Sequence, residues 1–256
     1  MTFSTPLARG QAPASRFRLS ELGWGRRIAL VAAALVGSAA VAYAANLAGR
    51  NMLLQVVRAC ALDQATIGSP LPCLETNIGE GFAVLRPPVG APDTILAPIK
   101  PIKGVEDPQL QAPDAPNYFA LAYGARRWAV PERQRVALAV NSRLARSQDQ
   151  LHVHIGCLSR EFSGRLSDGA LGPRAAEWFR AGDMAPGLEL WTYRGGRDIA
   201  ALAPFHLLKG LLGDEKALAR TTLAVVETPS DFVVVAMRSR PGGWYAAAED
   251  VVDARC

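Results

Sequence analysis

Most of this chain lacks net charge. The 256 residues sum to +5, but residues 1–50 hold six arginines and one glutamate, leaving 22 basic against 22 acidic residues from 51 onward. An electroneutral body offers no basic surface to a phosphate backbone, so nucleic acid is excluded as a partner. Repeats and low-complexity tracts are missing after residue 50 as well, which excludes solenoids and arrays and leaves one domain. Histidine is scarce, at three copies, and cysteine numbers four. With 50% hydrophobic content there is ample chain for one substantial core.

Charge is also absent from Ile28 to Gly49, an uncharged run of 22 residues that is long enough to cross a bilayer. Residues 1–27 before it are polar and basic, with Arg16, Arg18, Arg26 and Arg27, so the positive flank predicts a cytoplasmic N-terminus and a body on the far side. Ala42-Tyr43-Ala44 fits a signal-cleavage pattern, which makes a removed signal peptide the alternative to a retained anchor. Four cysteines suit an oxidising compartment and allow three connectivities. Cys60–Cys73 closes a local loop and Cys157–Cys256 pins the C-terminus to the strand before it, so this pairing is expected. Free buried thiols are expected only if the body is cytosolic.

Along residues 50–256, Asn51 to Leu62 reads as a helix. Gly81 to Arg86 and Asp93 to Ile99 read as strands joined by the turn PPVGAP. Pro116 to Val130 reads as a helix with Pro near its start, Phe119, Ala122 and Ala125 on one stripe, and Pro131 as its stop. Further helices are predicted at 174–181 and 201–212, and a second hairpin over 221–227 and 231–238. His206 sits among Phe205, Leu207 and Leu208, where packing or plain surface exposure explains it.

The chemistry concentrates between Arg135 and Leu158, RVALAVNSRLARSQDQLHVHIGCL. Strand alternation puts Gln150, His152 and His154 on one face and Leu151, Val153 and Ile155 on the other, with the two imidazoles about 6.7 Å apart along the strand. Such a pair is open to three readings. It is two ordinary sheet histidines, or part of a zinc site that still needs ligands, or a phosphoryl-transfer site in which a neutral imidazole attacks. Zinc is poorly supplied, because Cys157 falls on the opposite face and His206 lies in an unrelated segment.

The segment AVNSRLARSQDQLHVHIGC resembles the signature of the histidine-triad superfamily, an H-φ-H-φ-H strand preceded by a strand ending in Asn. More narrowly, NSR, then RSQD, the two histidines and a Cys three residues later resemble the CDP-diacylglycerol pyrophosphatases. The resemblance implies an α+β, HIT-like antiparallel sheet with packed helices, preceded by one transmembrane helix. It implies a body on the periplasmic side of a bacterial inner membrane, acting on CDP-diacylglycerol with water and no cofactor or metal. It places the nucleophile at His152 and a phosphate contact at His154, while the first histidine position holds Gln150. Asn141, Arg143, Arg146 and Gln148 lie in the strand end and turn that would face the diphosphate, and Lys100, after Ile95-Leu96-Ala97-Pro98, approaches from a neighbouring strand. A retained anchor fits a body acting on a lipid, since tethering raises effective concentration.

Overall fold

The structure is a computed structural model that describes residues 49–86, 93–166, 171–174 and 176–256, together with residues 24, 28 and 29. It divides into two compact units, Met1–Leu47 and Ala48–Cys256, the second being the body that carries the sheet. The predicted basic N-terminus, nearly all of the predicted membrane run and the PPVGAP turn lie outside the described residues. Among the described residues no helix is long and apolar enough to cross a membrane.

The body is α+β, built on one antiparallel sheet. Helix α1 (Met52–Ile67) precedes β1 (Glu75–Asn77), β2 (Phe82–Leu85) and β3 (Thr94–Pro98). Helix α2 (Tyr118–Gly124), capped by the Asn117 side chain, runs into a 3-10 turn that ends near the expected Pro131 stop. Strands β4 (Val136–Val140) and β5 (Val153–Leu158) follow, then α3 (Arg160–Arg165), β6 (Trp178–Ala185), β7 (Leu188–Arg194), α4 (Pro204–Leu212), α5 (Glu215–Ala219), β8 (Thr221–Glu227), β9 (Phe232–Ser239) and β10 (Val252–Asp253). The order across the sheet is β1-β2-β3-β5-β4-β8-β9-β7-β6, with β10 paired to β5. Each pairing is antiparallel.

Both faces of the central strands are buried, which explains their continuous apolar runs in place of clean alternation. One face presents Leu96, Val153, Ile155, Leu138, Leu223, Val225 and Val234 to Phe119 of α2 and to Phe205 and Leu208 of α4. Each such side chain, fully buried, contributes roughly 1.5–3 kcal/mol. The opposite face is covered in two patches. Val57 and Cys60 of α1 pack on Ala83, Leu85, Ile95 and Ala97. Ala246, Ala248, Val251 and Val252 of the C-terminal segment pack with Ala139, Ala224, Val226 and Val235. The histidines lie on this second face between the two patches, because His154 pairs with Ile95 on one side and Ala139 on the other.

The disulfides join Cys60 to Cys73 and Cys157 to Cys256, so one ties α1 to the segment before β1 and the other holds the C-terminus on β5. Gly156 makes that second docking possible: a Cβ there would meet the Asp253 carbonyl oxygen at 2.6 Å.

Two expectations need correction. The predicted helix over 174–181 does not form; Trp178–Ala185 is an edge strand paired with β7, which the sequence reading also missed. Register shifts between Arg180 and Gly182 and between Asp183 and Ala185 break its period of two, and its residues are half-buried or exposed, so the usual alternation is absent. The predicted helix over 201–212 begins at Pro204, where the fixed φ of proline suits a first helical turn. The second hairpin, β8–β9, sits inside the sheet between β4 and β7.

Candidate active site

His154 lies within the β5 ladder, while His152 sits just before its first paired residue, Val153. Their rings lean together to 5.0 Å between centroids, with an interplanar angle of 52°. Both are buried. Each ring has its tautomer dictated by its neighbours. His152 Nδ1 lies 2.8 Å from the Gln150 carbonyl, which can only accept, so Nδ1 carries the proton and Nε2 keeps its lone pair. His154 Nδ1 lies 2.9 Å from Asp93 Oδ2 and donates to it. Asn141 Oδ1 accepts the Ala248 N–H at 2.7 Å, which turns its Nδ2 toward His154 Nε2 at 3.4 Å.

Burial pushes the His152 pKa down to about 3, aided by the neighbouring His154, against an opposing pull from the Gln150 carbonyl that outweighs the further lowering by Arg146. His152 is therefore a neutral imidazole with one free, unprotonated nitrogen. That is the form a nucleophile requires.

The remaining predicted residues divide by what already occupies them. Gln150 is buried and its amide is spent on the chain opposite: Nε2 donates to the Pro98 and Lys100 carbonyls at 2.8 Å, and Oε1 accepts the Ile102 N–H at 3.3 Å. It holds the β3 exit against the histidine strand. Arg146 is buried and bidentate on Glu106, at 2.7 and 2.6 Å. Its Nε lies 3.6 Å from Asp149 Oδ1 and has no hydrogen-bond acceptor among the described residues. Gly104, at φ +64°, clears the space for this guanidinium, since a Cβ there would collide with Arg146. Gln148 accepts the Leu53 N–H and donates to the Gly49 carbonyl, both at 2.9 Å. Arg143 is exposed on the turn, where its backbone N–H bonds the Ala219 carbonyl. Lys100 is exposed and lines a cleft with Gly81, Gln109 and Tyr118. His206 is exposed on α4, away from this cluster, beside Trp178 and Tyr193.

Three neighbours escaped the sequence reading. Asp93 opens the strand that reads DTILAPI, two residues before Ile95 and on the histidine face; an acid beginning an apolar strand was its one visible signal. Glu106 lies in a loop far from the motif in sequence, and nothing local marks it. Glu249 comes from the C-terminal segment, and ligand atoms of Asp93, His154 and Glu249 all lie within 4.8 Å of one another. Cys157 is consumed in a disulfide and is not available as a metal ligand.

A neutral buried imidazole, a second imidazole held by a carboxylate and an amide, and a buried arginine beside them have the chemistry that attack on an anionic phosphorus centre requires. Residues 48–256 match the family model described as CDP-diacylglycerol pyrophosphatase. The chain is also 32% identical over 251 residues, covering 92% of its length and 95% of the relative, to the CDP-diacylglycerol pyrophosphatase of Yersinia pestis. By the extent of these matches the chain belongs to the CDP-diacylglycerol pyrophosphatase family, hydrolases of CDP-diacylglycerol.

Proposed function

We propose that the chain hydrolyses CDP-diacylglycerol in two steps through His152, the observation behind this being a buried imidazole whose Nδ1 is committed to a carbonyl. His152 Nε2 attacks the cytidylyl phosphorus; the N–P bond forms as the P–O bond to phosphatidate breaks. Water then attacks the same phosphorus, releasing CMP and returning the lone pair to Nε2. As the N–P bond forms, the ring becomes cationic and its Nδ1–H strengthens its bond to Gln150. Burial penalises that charge until the substrate's phosphates arrive to balance it, so the site favours the cation only in the presence of substrate. With its Nδ1–H committed to Asp93, His154 holds or protonates a phosphoryl oxygen through a second proton on Nε2, and Arg146 adds positive charge beside His152.

Asn141 orients His154 and Gln150 orients His152, while Gln148 fixes the turn between them. Arg143 and Lys100, both exposed, are cations placed to meet the outer phosphate. The disulfides support a body on the oxidising, periplasmic side of the inner membrane, and the uncharged run from Ile28 to Gly49 supports a retained single-pass anchor.

The test is CMP release from CDP-diacylglycerol in detergent with EDTA present. His152→Ala should lose essentially all turnover and His154→Ala about 10²–10⁴-fold. Normal turnover by His152→Ala sinks the nucleophile assignment. A metal-assisted second reading has one observation behind it, the Asp93, His154 and Glu249 cluster, and chelator-sensitive activity restored by a divalent ion would favour it.

A further inference from the structure

Large apolar side chains on the body's surface are spread along the end of the sheet where β4 stops and β5 begins. Met52, Ile78, Leu144, Trp244 and Tyr245 are each between 39% and 66% exposed. Their backbones are tied to this end by named bonds. Leu144 lies within the Ser142–Asp149 turn itself. Met52 precedes Leu53, whose N–H is held by Gln148 of the same turn. Ile78 lies in the β1–β2 turn, where the Gly81 carbonyl takes the Ile99 N–H beside the β3 exit. The Trp244 N–H bonds the Pro186 carbonyl at the β6–β7 turn, and two residues on, the Ala246 carbonyl accepts from Thr222 at the start of β8. Ala248 then reaches Asn141. The exposed cations Lys100 and Arg143 belong to the same end.

The point where the uncharged N-terminal run joins the body is fixed here too. Gly49 is bonded to Gln148, and Arg50 is bonded to Asp149 through its side chain and through its carbonyl, so the chain enters the body against the turn that carries the catalytic strand.

We propose that this end of the sheet is a membrane-seating face, with Met52, Ile78, Leu144, Trp244 and Tyr245 entering the interface of a phospholipid bilayer around the histidine site. Tryptophan and tyrosine suit that interface because an apolar ring sits in the acyl boundary while the polar edge stays wet. Lys100 and Arg143 complement anionic headgroups. Seating brings a lipid-borne diphosphate to the site without the acyl chains crossing water, and it rests on the substrate reading given above. The other large exposed apolar side chains among the described residues of the body, Leu62, Ile67 and Leu71, lie toward or beyond the C-terminal end of α1, whose 16 residues span about 24 Å. They serve as a built-in control.

The test uses the full chain reconstituted into phosphatidylcholine vesicles containing phosphatidylglycerol. Hydrolysis is followed on long-chain CDP-diacylglycerol in the bilayer and on a short-chain, water-soluble form. Leu144→Ser/Trp244→Ser/Tyr245→Ser should lose about tenfold or more on the bilayer substrate and keep its rate on the soluble one, while Leu62→Ser/Ile67→Ser keeps both. Dibrominated phosphatidylcholine should quench wild-type tryptophan emission more than that of Trp244→Phe. Equal quenching, an unchanged bilayer rate in the triple variant, or proportionate loss on both substrates overturns the proposal. If neither substrate is hydrolysed even by wild type but the Trp244-dependent quenching persists, the substrate reading fails and the seating face stands.

Discussion

Acidification should cost the wild-type protein stability that a His152→Gln variant does not lose. The imidazole of His152 ordinarily titrates near 6.5, and in the folded protein burial, then His154 and Arg146, push it down to about 3. Because the folded pKa lies below the unfolded one, the folded state binds fewer protons across that window. The stabilisation is therefore complete above 6.5 and is lost as the pH falls from 6.5 toward 3. The slope is about 1.4 kcal/mol per pH unit, so at about pH 4.5 this single ring removes roughly 2.7 kcal/mol relative to neutral pH. A domain whose total stability is about 5–15 kcal/mol registers such a loss clearly. Urea unfolding of the full chain in non-ionic detergent, at about pH 7.5 and about pH 4.5, measures it, and subtracting the variant cancels the carboxylates that titrate alike in both. Wild type should lose about 2–3 kcal/mol more than His152→Gln. Parallel losses would refute the claim that His152 is held neutral by its surroundings, and with it the basis for its free Nε2.

Glu106→Gln leaves the Arg146 guanidinium, only 2% exposed, without its main counter-charge. It should cost about 3–5 kcal/mol in chemical denaturation and lower kcat/KM for CDP-diacylglycerol; a change below about 1 kcal/mol would show that the pair does not brace the turn. Replacing Cys157 and Cys256 together by Ser opens a link across 99 residues and should lower stability by about 2–4 kcal/mol. Activity should fall with it, since β10 and the Ala248 N–H that orients Asn141 are held in place from that end. A double variant as stable and active as wild type would refute this.

The pattern of residues alone carried a good part of this protein. Alternation through Gln150-Leu151-His152-Val153-His154 is a local property of an extended chain, so the shared face of the histidines and the burial of Leu151, Val153 and Ile155 behind them could be read directly. The α1, α2 and β8–β9 segments were legible for the same reason, since period and punctuation are local. β6 was not, because its register shifts come from pairing with β7 and leave no period in its own sequence. Gln148 and Gln150 show the limit on the site: both sit in the recognised motif, but whether an amide meets substrate or backbone depends on what the fold places opposite it, here Gly49 and Leu53 in one case and residues 98–102 in the other.

Residue types and their spacing thus determined which side chains could do the chemistry and that two histidines would stand together. Tertiary structure alone decided their chemical state. Asp93 and Asn141 hold His154, the Gln150 carbonyl sets the His152 tautomer, and burial between the α1 patch and the C-terminal patch removes the proton from its second nitrogen. Those partners come from separate parts of the chain, and desolvation depends on everything packed around a ring, so neither is written in the neighbouring residues.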